Sequence, residues 1–213
     1  MTGESSVVAA PDERGALVRR GLRLNYLTLA YNAMEAVVSI AAGLVAGSVA
    51  LLSFGIDSVI EVTSSAAAQW RLRTDRDRAR RERVERQAHR VIGGSFLVLA
   101  VYVAYESATT LWYREQPERS LLGVAILALS VVVMPVLARA KRRVARTLGS
   151  GALEAEATQT SLCAYLSVIA LGGVGLNAAL GWWWADPVAA LAMGPIIVKE
   201  GVEGIRGETS CTT

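Results

Sequence analysis

Two carboxylates, Asp57 and Glu61, sit inside an apolar stretch that reads GSVALLSFGIDSVIE from Gly47. Four residues apart, they share one face of a helix and lie one turn from each other. An ionisable group inside a bilayer costs about 2.5–3.5 kcal/mol on insertion scales. Two like charges on one face cost more unless a proton or a cation lies between them. The chemistry that this pair supports is reversible cation binding.

A second stretch repeats the first. Gly149-Ser150-Gly151-Ala152-Leu153 matches Gly47-Ser48-Val49-Ala50-Leu51 at four of five positions. Asp57 and Glu61 follow Gly47 by 10 and 14 residues, and Gln159 and Cys163 follow Gly149 by the same intervals. An amide oxygen and a thiol therefore stand where the first copy has carboxylates. All four groups are metal-ligand types, so Asp57, Glu61, Gln159 and Cys163 form the candidate metal site. A thiolate favours zinc, cadmium or a similar thiophilic ion; if Cys163 points away, the oxygens suit manganese or magnesium. Asn32 and Glu35, about one turn apart in the first apolar segment, are candidates to flank this site or to accept a proton. No resident cofactor is expected.

The elements that must position these residues are membrane helices. The hydrophobic fraction is 53% of 213 residues, above the ~45–50% usual for a soluble domain. The reading is an all-α, polytopic membrane protein with six spans, roughly 24–46, 49–70, 91–112, 120–137, 156–180 and 187–198. A polar leader over 1–21 precedes a transport domain over 22–206, and a short tail covers 207–213. The leader has no apolar core before a cleavage site, so no cleaved signal peptide is expected. Basic residues crowd 71–90 and 139–146, between spans. That clustering is the positive-inside signature, and the net charge of +3 is no sign of nucleic-acid binding. The 71–90 segment reads as a charged helical extension in contact with headgroups of the lipid bilayer.

Six spans put both termini on one side, which the charge pattern makes the cytoplasm of a multi-pass plasma-membrane protein. The second span then runs inward and the fifth outward, an inverted internal repeat. Ten helical residues rise about 15 Å, half of a ~30 Å hydrocarbon core. Both polar pairs are therefore expected to meet near the midplane. Pro135 is expected to kink the end of the fourth span. Gly172, Gly173 and Gly175 would let helices approach closely, and Trp182, Trp183 and Trp184 read as an interfacial belt. Asp186 reads as a helix cap, and Glu154 and Glu156 as lining the cytoplasmic mouth. Cys163 and Cys211 are not expected to pair. The single histidine, His89, reads as a surface residue, and one histidine makes a His-dependent membrane enzyme a poor fit; the chain does not read as an enzyme.

The GSVALLSFGIDSVIE and GSGALEAEATQTSLC segments, with WWWADPVAAL at the last span, resemble the transmembrane domain of the cation diffusion facilitators. The resemblance covers about residues 22–206. In that family the second span carries Asp or His and then Asp, four apart, where this chain has Asp57 and Glu61. The fifth span usually carries His and then Asp after an Ala-Asp-Ala lead-in. Here Ala155-Glu156-Ala157 leads to Gln159 and Cys163, so the site departs from the family pattern. The family usually has a cytoplasmic metal-binding domain after the last span, and this chain resembles a shortened branch without one. The resemblance implies efflux of a divalent metal ion, usually by exchange with protons as counter-ion and usually by a homodimer. It also turns the choice of ion towards zinc, with manganese, iron or cadmium as alternatives. A mechanism follows: the ion displaces protons from Asp57 and Glu61 on the cytoplasmic side, and reprotonation from an acidic exterior releases it. The rival is a membrane protein that binds metal or regulates a partner without transport.

Overall fold

The computed structural model describes the backbone of residues 11–73, 78–148 and 151–206; side chains are described over most of this, not for 11–14, 64, 67–73, 78–89, 91–92, 151–152 and 155. Six helices follow in order: α1 (Pro11–Ala46), α2 (Val49–Arg73), α3 (Arg78–Tyr113), α4 (Leu121–Leu148), α5 (Gly151–Leu180) and α6 (Ala185–Arg206). Among the described residues there is no strand. The chain is an all-α, polytopic membrane protein. Gly15–Ala46, Gly93–Tyr113, Leu121–Leu148 and Glu156–Leu180 are each long and apolar enough to cross a bilayer.

The distribution of residue types is inverted relative to a protein in water. Val37, Val45, Val98, Val101 and Leu121 are 70–80% exposed, as an acyl-chain surface requires. Asn32, Glu35, Ser39, Asp57, Glu61, Lys141 and Asp186 are all buried. Charged groups in lipid turn inward, where partners exist.

α2 is the axial helix. It touches α1, α3, α5 and α6, while α4 packs on α1 and α5, and α3 pairs with α6. The α1–α2 hairpin turns on Gly47, whose φ of 63° is left-handed. Ser48 N donates to Gly43 O at 3.0 Å, closing α1 as glycine C-caps do. Leu51 N then donates to Ser48 Oγ at 3.1 Å, so the same serine opens α2. The corresponding Gly149-Ser150 turn lies outside the described residues.

Close approach at the α5–α6 crossing depends on Gly173 alone of the three glycines. A Cβ there would lie 2.4 Å from Ala189 Cβ, whereas one on Gly172 would meet nothing within 4 Å. Gly175 would meet only Leu171 of its own helix, at 4.0 Å.

Several helices outrun the apolar stretches that announced them. α1 starts at Pro11, inside the expected leader, and α4 continues through Pro135 to Leu148. The 139–146 cluster is therefore the last turns of a helix, and Lys141 within it is wholly buried rather than solvated. Hydropathy marks where a helix is apolar, and helix propensity carries the backbone on through Lys and Arg. Of the charged 71–90 segment, 71–73 end α2 and 78–90 begin α3; its middle and the His89 side chain lie outside the described residues, as do 1–10 and 207–213.

Candidate cation site

α2 presents Asp57, Glu61 and Ser65 at four-residue intervals, so one stripe of the helix is polar. α5 presents Glu156, Gln159, Thr160 and Cys163, spaced by three and four. The two stripes face each other in opposite directions. Glu61 is in hydrogen-bonding contact with Cys163, and one turn further along α2 Ser65 Oγ donates to Glu156 Oε2 at 3.1 Å. Rising numbers on α2 meet falling numbers on α5, which is the antiparallel relation that the inverted repeat requires.

Between the stripes lies a cavity of about 20 Å³, room for one water-sized body. Asp57, Glu61, Gln159 and Cys163 all line it. Asp57, Glu61 and Cys163 are buried. Phe96 from α3 and Leu162, Leu166, Ile196 and Ile197 supply apolar walls. In this conformation no three His, Cys, Asp or Glu side chains among the described residues converge tightly enough to hold an ion. The four groups share a space without forming a closed coordination shell.

Asn32 and Glu35 of α1 stand behind this cavity. The Asn32 amide is in hydrogen-bonding contact with Glu61. Glu35 Oε2 accepts from Ser58 Oγ at 3.2 Å and lies 4.0 Å from Cys163 Sγ. Asn32 Oδ1 and Glu35 Oε1 are buried without a hydrogen-bond partner. Such orphaned acceptors are expensive in an apolar interior; the Glu35 carboxylate beside the thiol can take a proton or a cation, and the Asn32 amide oxygen a cation or a hydrogen bond.

Two features were missed in the sequence. Glu200 of α6 lines the cavity; its spacing from Ile196 and Ile197 by four and three places all three on one face, which was a readable signal. Lys141 reaches Glu156 at 3.6 Å and Thr160 Oγ1 at 3.2 Å; nothing in a basic run marks which member is buried. Glu156, expected to line the cytoplasmic mouth, is partly exposed and is the carboxylate that Lys141 reaches. Asp186 is a cap as expected, though of another helix. It accepts from Ser48 Oγ, and from Ala50 N at 3.3 Å, tying the start of α6 to the start of α2.

At the opposite end of the bundle from Lys141, an open hollow of about 520 Å³ is lined by Gln116, Glu118, Arg119, Asn177 and Trp183 among others. It is held in shape by Glu118 N donating to Ala46 O at 2.7 Å and Asn177 Nδ2 donating to Pro117 O at 2.9 Å. Trp182 and Trp184 stack beside it at 5.4 Å between ring centroids.

Residues 26–209 match the cation efflux transmembrane domain. The chain is also similar to an uncharacterized transporter, sll1263, of Synechocystis sp., at 26% identity over 189 residues. That alignment takes in 85% of this chain and 61% of the relative, so the chain spans about three-fifths of the relative's length.

Proposed function

The chain belongs to the cation efflux family, and we propose that it exports a divalent metal cation, zinc before other ions, in exchange for protons. The observation that carries this reading is the cavity shared by Asp57, Glu61, Gln159 and Cys163 between α2 and α5. Two carboxylates supply charge, the amide supplies a neutral oxygen, and the thiolate supplies the softness that favours zinc over magnesium. Manganese, iron and cadmium are the alternative passengers.

In this reading the ion and protons compete for the same oxygens, because a carboxylate or thiol binds metal only when deprotonated. Ion arriving from the cytoplasm displaces protons from Asp57 and Glu61. Opening to an acidic exterior returns the protons and releases the ion. Asn32 holds Glu61 from behind, and Glu35, beside Cys163, takes up a proton in the exchange. The chain works in the plasma membrane with both termini cytoplasmic, as a homodimer and without enzymatic activity.

The test is metal flux in proteoliposomes under an imposed pH gradient. Asp57→Ala with Glu61→Ala should abolish zinc-dependent flux while the protein remains folded. Undiminished flux in that double variant removes the site, and metal binding by the parent without flux in either direction replaces transport with a binding or regulatory role.

A further inference from the structure

Lys141 is 0% exposed in the interior of a membrane protein. Its ammonium lies 3.6 Å from Glu156 Oε2 and 3.2 Å from Thr160 Oγ1. Glu156 also receives Ser65 Oγ, at 3.3 Å and 3.1 Å from its two carboxylate oxygens. Thr160 Oγ1 donates its own proton to the Glu156 carbonyl oxygen at 2.9 Å, which turns its lone pairs towards the ammonium. Three helices thus build the surroundings of one positive charge: α4 brings the cation, α5 the carboxylate and hydroxyl that contact it, and α2 a serine hydroxyl that holds that carboxylate. A seat built of hard oxygens around a cation is what manganese or magnesium selects.

Its position is informative. Ser65 continues the stripe of Asp57 and Glu61 on α2, and Glu156 precedes Cys163 by two turns on α5. The seat therefore lies on the same seam as the cavity, about 6 Å beyond Glu61, towards the end where α1 begins and α6 ends. Glu61 is within electrostatic reach of Lys141. A divalent ion moving along this seam meets the ammonium first. The two positive charges repel strongly at this range in a low dielectric, so one excludes the other.

We propose that Glu156, Ser65 and Thr160 form a second cation seat, filled in this conformation by the Lys141 ammonium and taken by a divalent ion on its way to the cavity. The direction of travel rests on the proposed export; the seat itself does not. When the ion arrives it ligates Glu156 and the hydroxyls, and Lys141 swings out of the seam. When the ion moves on, Lys141 returns and closes the path behind it. No bond other than metal–oxygen coordination forms or breaks.

The experiment is Mn²⁺ binding to the purified full chain, by equilibrium dialysis with electron paramagnetic resonance of free Mn²⁺. Lys141→Met, and separately Lys141→Gln, should each gain about one Mn²⁺ per chain over the parent, because the built-in competitor is gone. Adding Glu156→Gln should remove that gain. Adding Asp57→Asn and Glu61→Gln should leave it in place, so the seat is scored apart from the cavity and its failure apart from the failure of the transport reading. No gain in either folded Lys141 variant, or a gain that survives Glu156→Gln, overturns the proposal. If neither variant folds, the parent decides: saturating Mn²⁺ should raise acylation of Lys141 by an amine reagent several-fold, read by mass spectrometry, and unchanged labelling overturns it.

Discussion

Glu35 on α1 and Cys163 on α5 meet across the bundle, with Glu35 Oε2 4.0 Å from the thiol sulfur. The thiol also contacts Glu61, so it stands between two carboxylates on two different helices. A metal that binds the sulfur must displace its proton while both carboxylates are at hand to receive it. The two residues should therefore fail in different ways when altered.

Cys163→Ser removes the soft donor and keeps a small polar group. Affinity for cadmium or zinc should fall by about tenfold or more, while affinity for manganese stays within a few-fold, since only thiophilic ions draw on the sulfur. Competition between the two ions on one sample measures this directly. Equal losses for both would mean that the sulfur faces away from the passenger.

Glu35→Gln keeps shape and the contact with Ser58 but removes the charge. Residues that support metal ligands typically change affinity or rate by about 10–100-fold when altered. Zinc flux under a pH gradient should drop within that range. Detergent-solubilised melting temperature should stay near the parent value or rise, because a buried acidic group without a full set of partners is itself destabilising. A variant that transports at the parental rate would remove Glu35 from the exchange.

Metal affinity should rise with pH. If metal binding expels protons from Asp57 and Glu61 as proposed, lowering proton concentration pulls the equilibrium towards the bound state, and acid reverses it. Where these carboxylates titrate, log K should climb by about one to two per pH unit, one for each proton displaced. Isothermal calorimetry in buffers of different ionisation heat gives the proton count independently. A flat profile would mean that the ion binds without displacing protons.

Gly173 and Gly172 make a paired test of the packing. Gly173→Ala places a Cβ 2.4 Å from that of Ala189, and Gly172→Ala meets nothing within 4 Å. The first should destabilise by about 1–3 kcal/mol, as overpacking does, and the second should be silent or mildly stabilising through helix propensity. Thermal unfolding in one detergent compares them. Equal melting points would mean that α5 and α6 separate at this crossing.

Much of the candidate site was legible in one dimension because the four candidate residues come from only two helices, each at a fixed interval from a Gly-Ser marker. A spacing of four residues puts two side chains on one face whatever surrounds the helix. Asp57 with Glu61, and Gln159 with Cys163, could be paired within their own helices from spacing alone, and the repeated marker set the two pairs at the same depth. The all-α membrane class was equally legible, since unsatisfied backbone in lipid leaves apolar segments of this length little choice but helix.

What spacing could not supply was the partner across a helix–helix gap. Lys141 stands in a run with Arg139, Arg142, Arg143 and Arg146, and composition treats them alike. Only the rotation of α4 against α5 selects Lys141 for Glu156 and Thr160. Asp186 reads as a cap from its place before Pro187, but the helix that it caps lies 136 residues earlier, at Ala50. Glu200 joins the cavity only because α6 packs beside α2 and α5. Which residues share a face, and at what height, follows from spacing along the chain, because helical geometry is local. Which faces meet is settled only in three dimensions, because it depends on how the six helices fill space together.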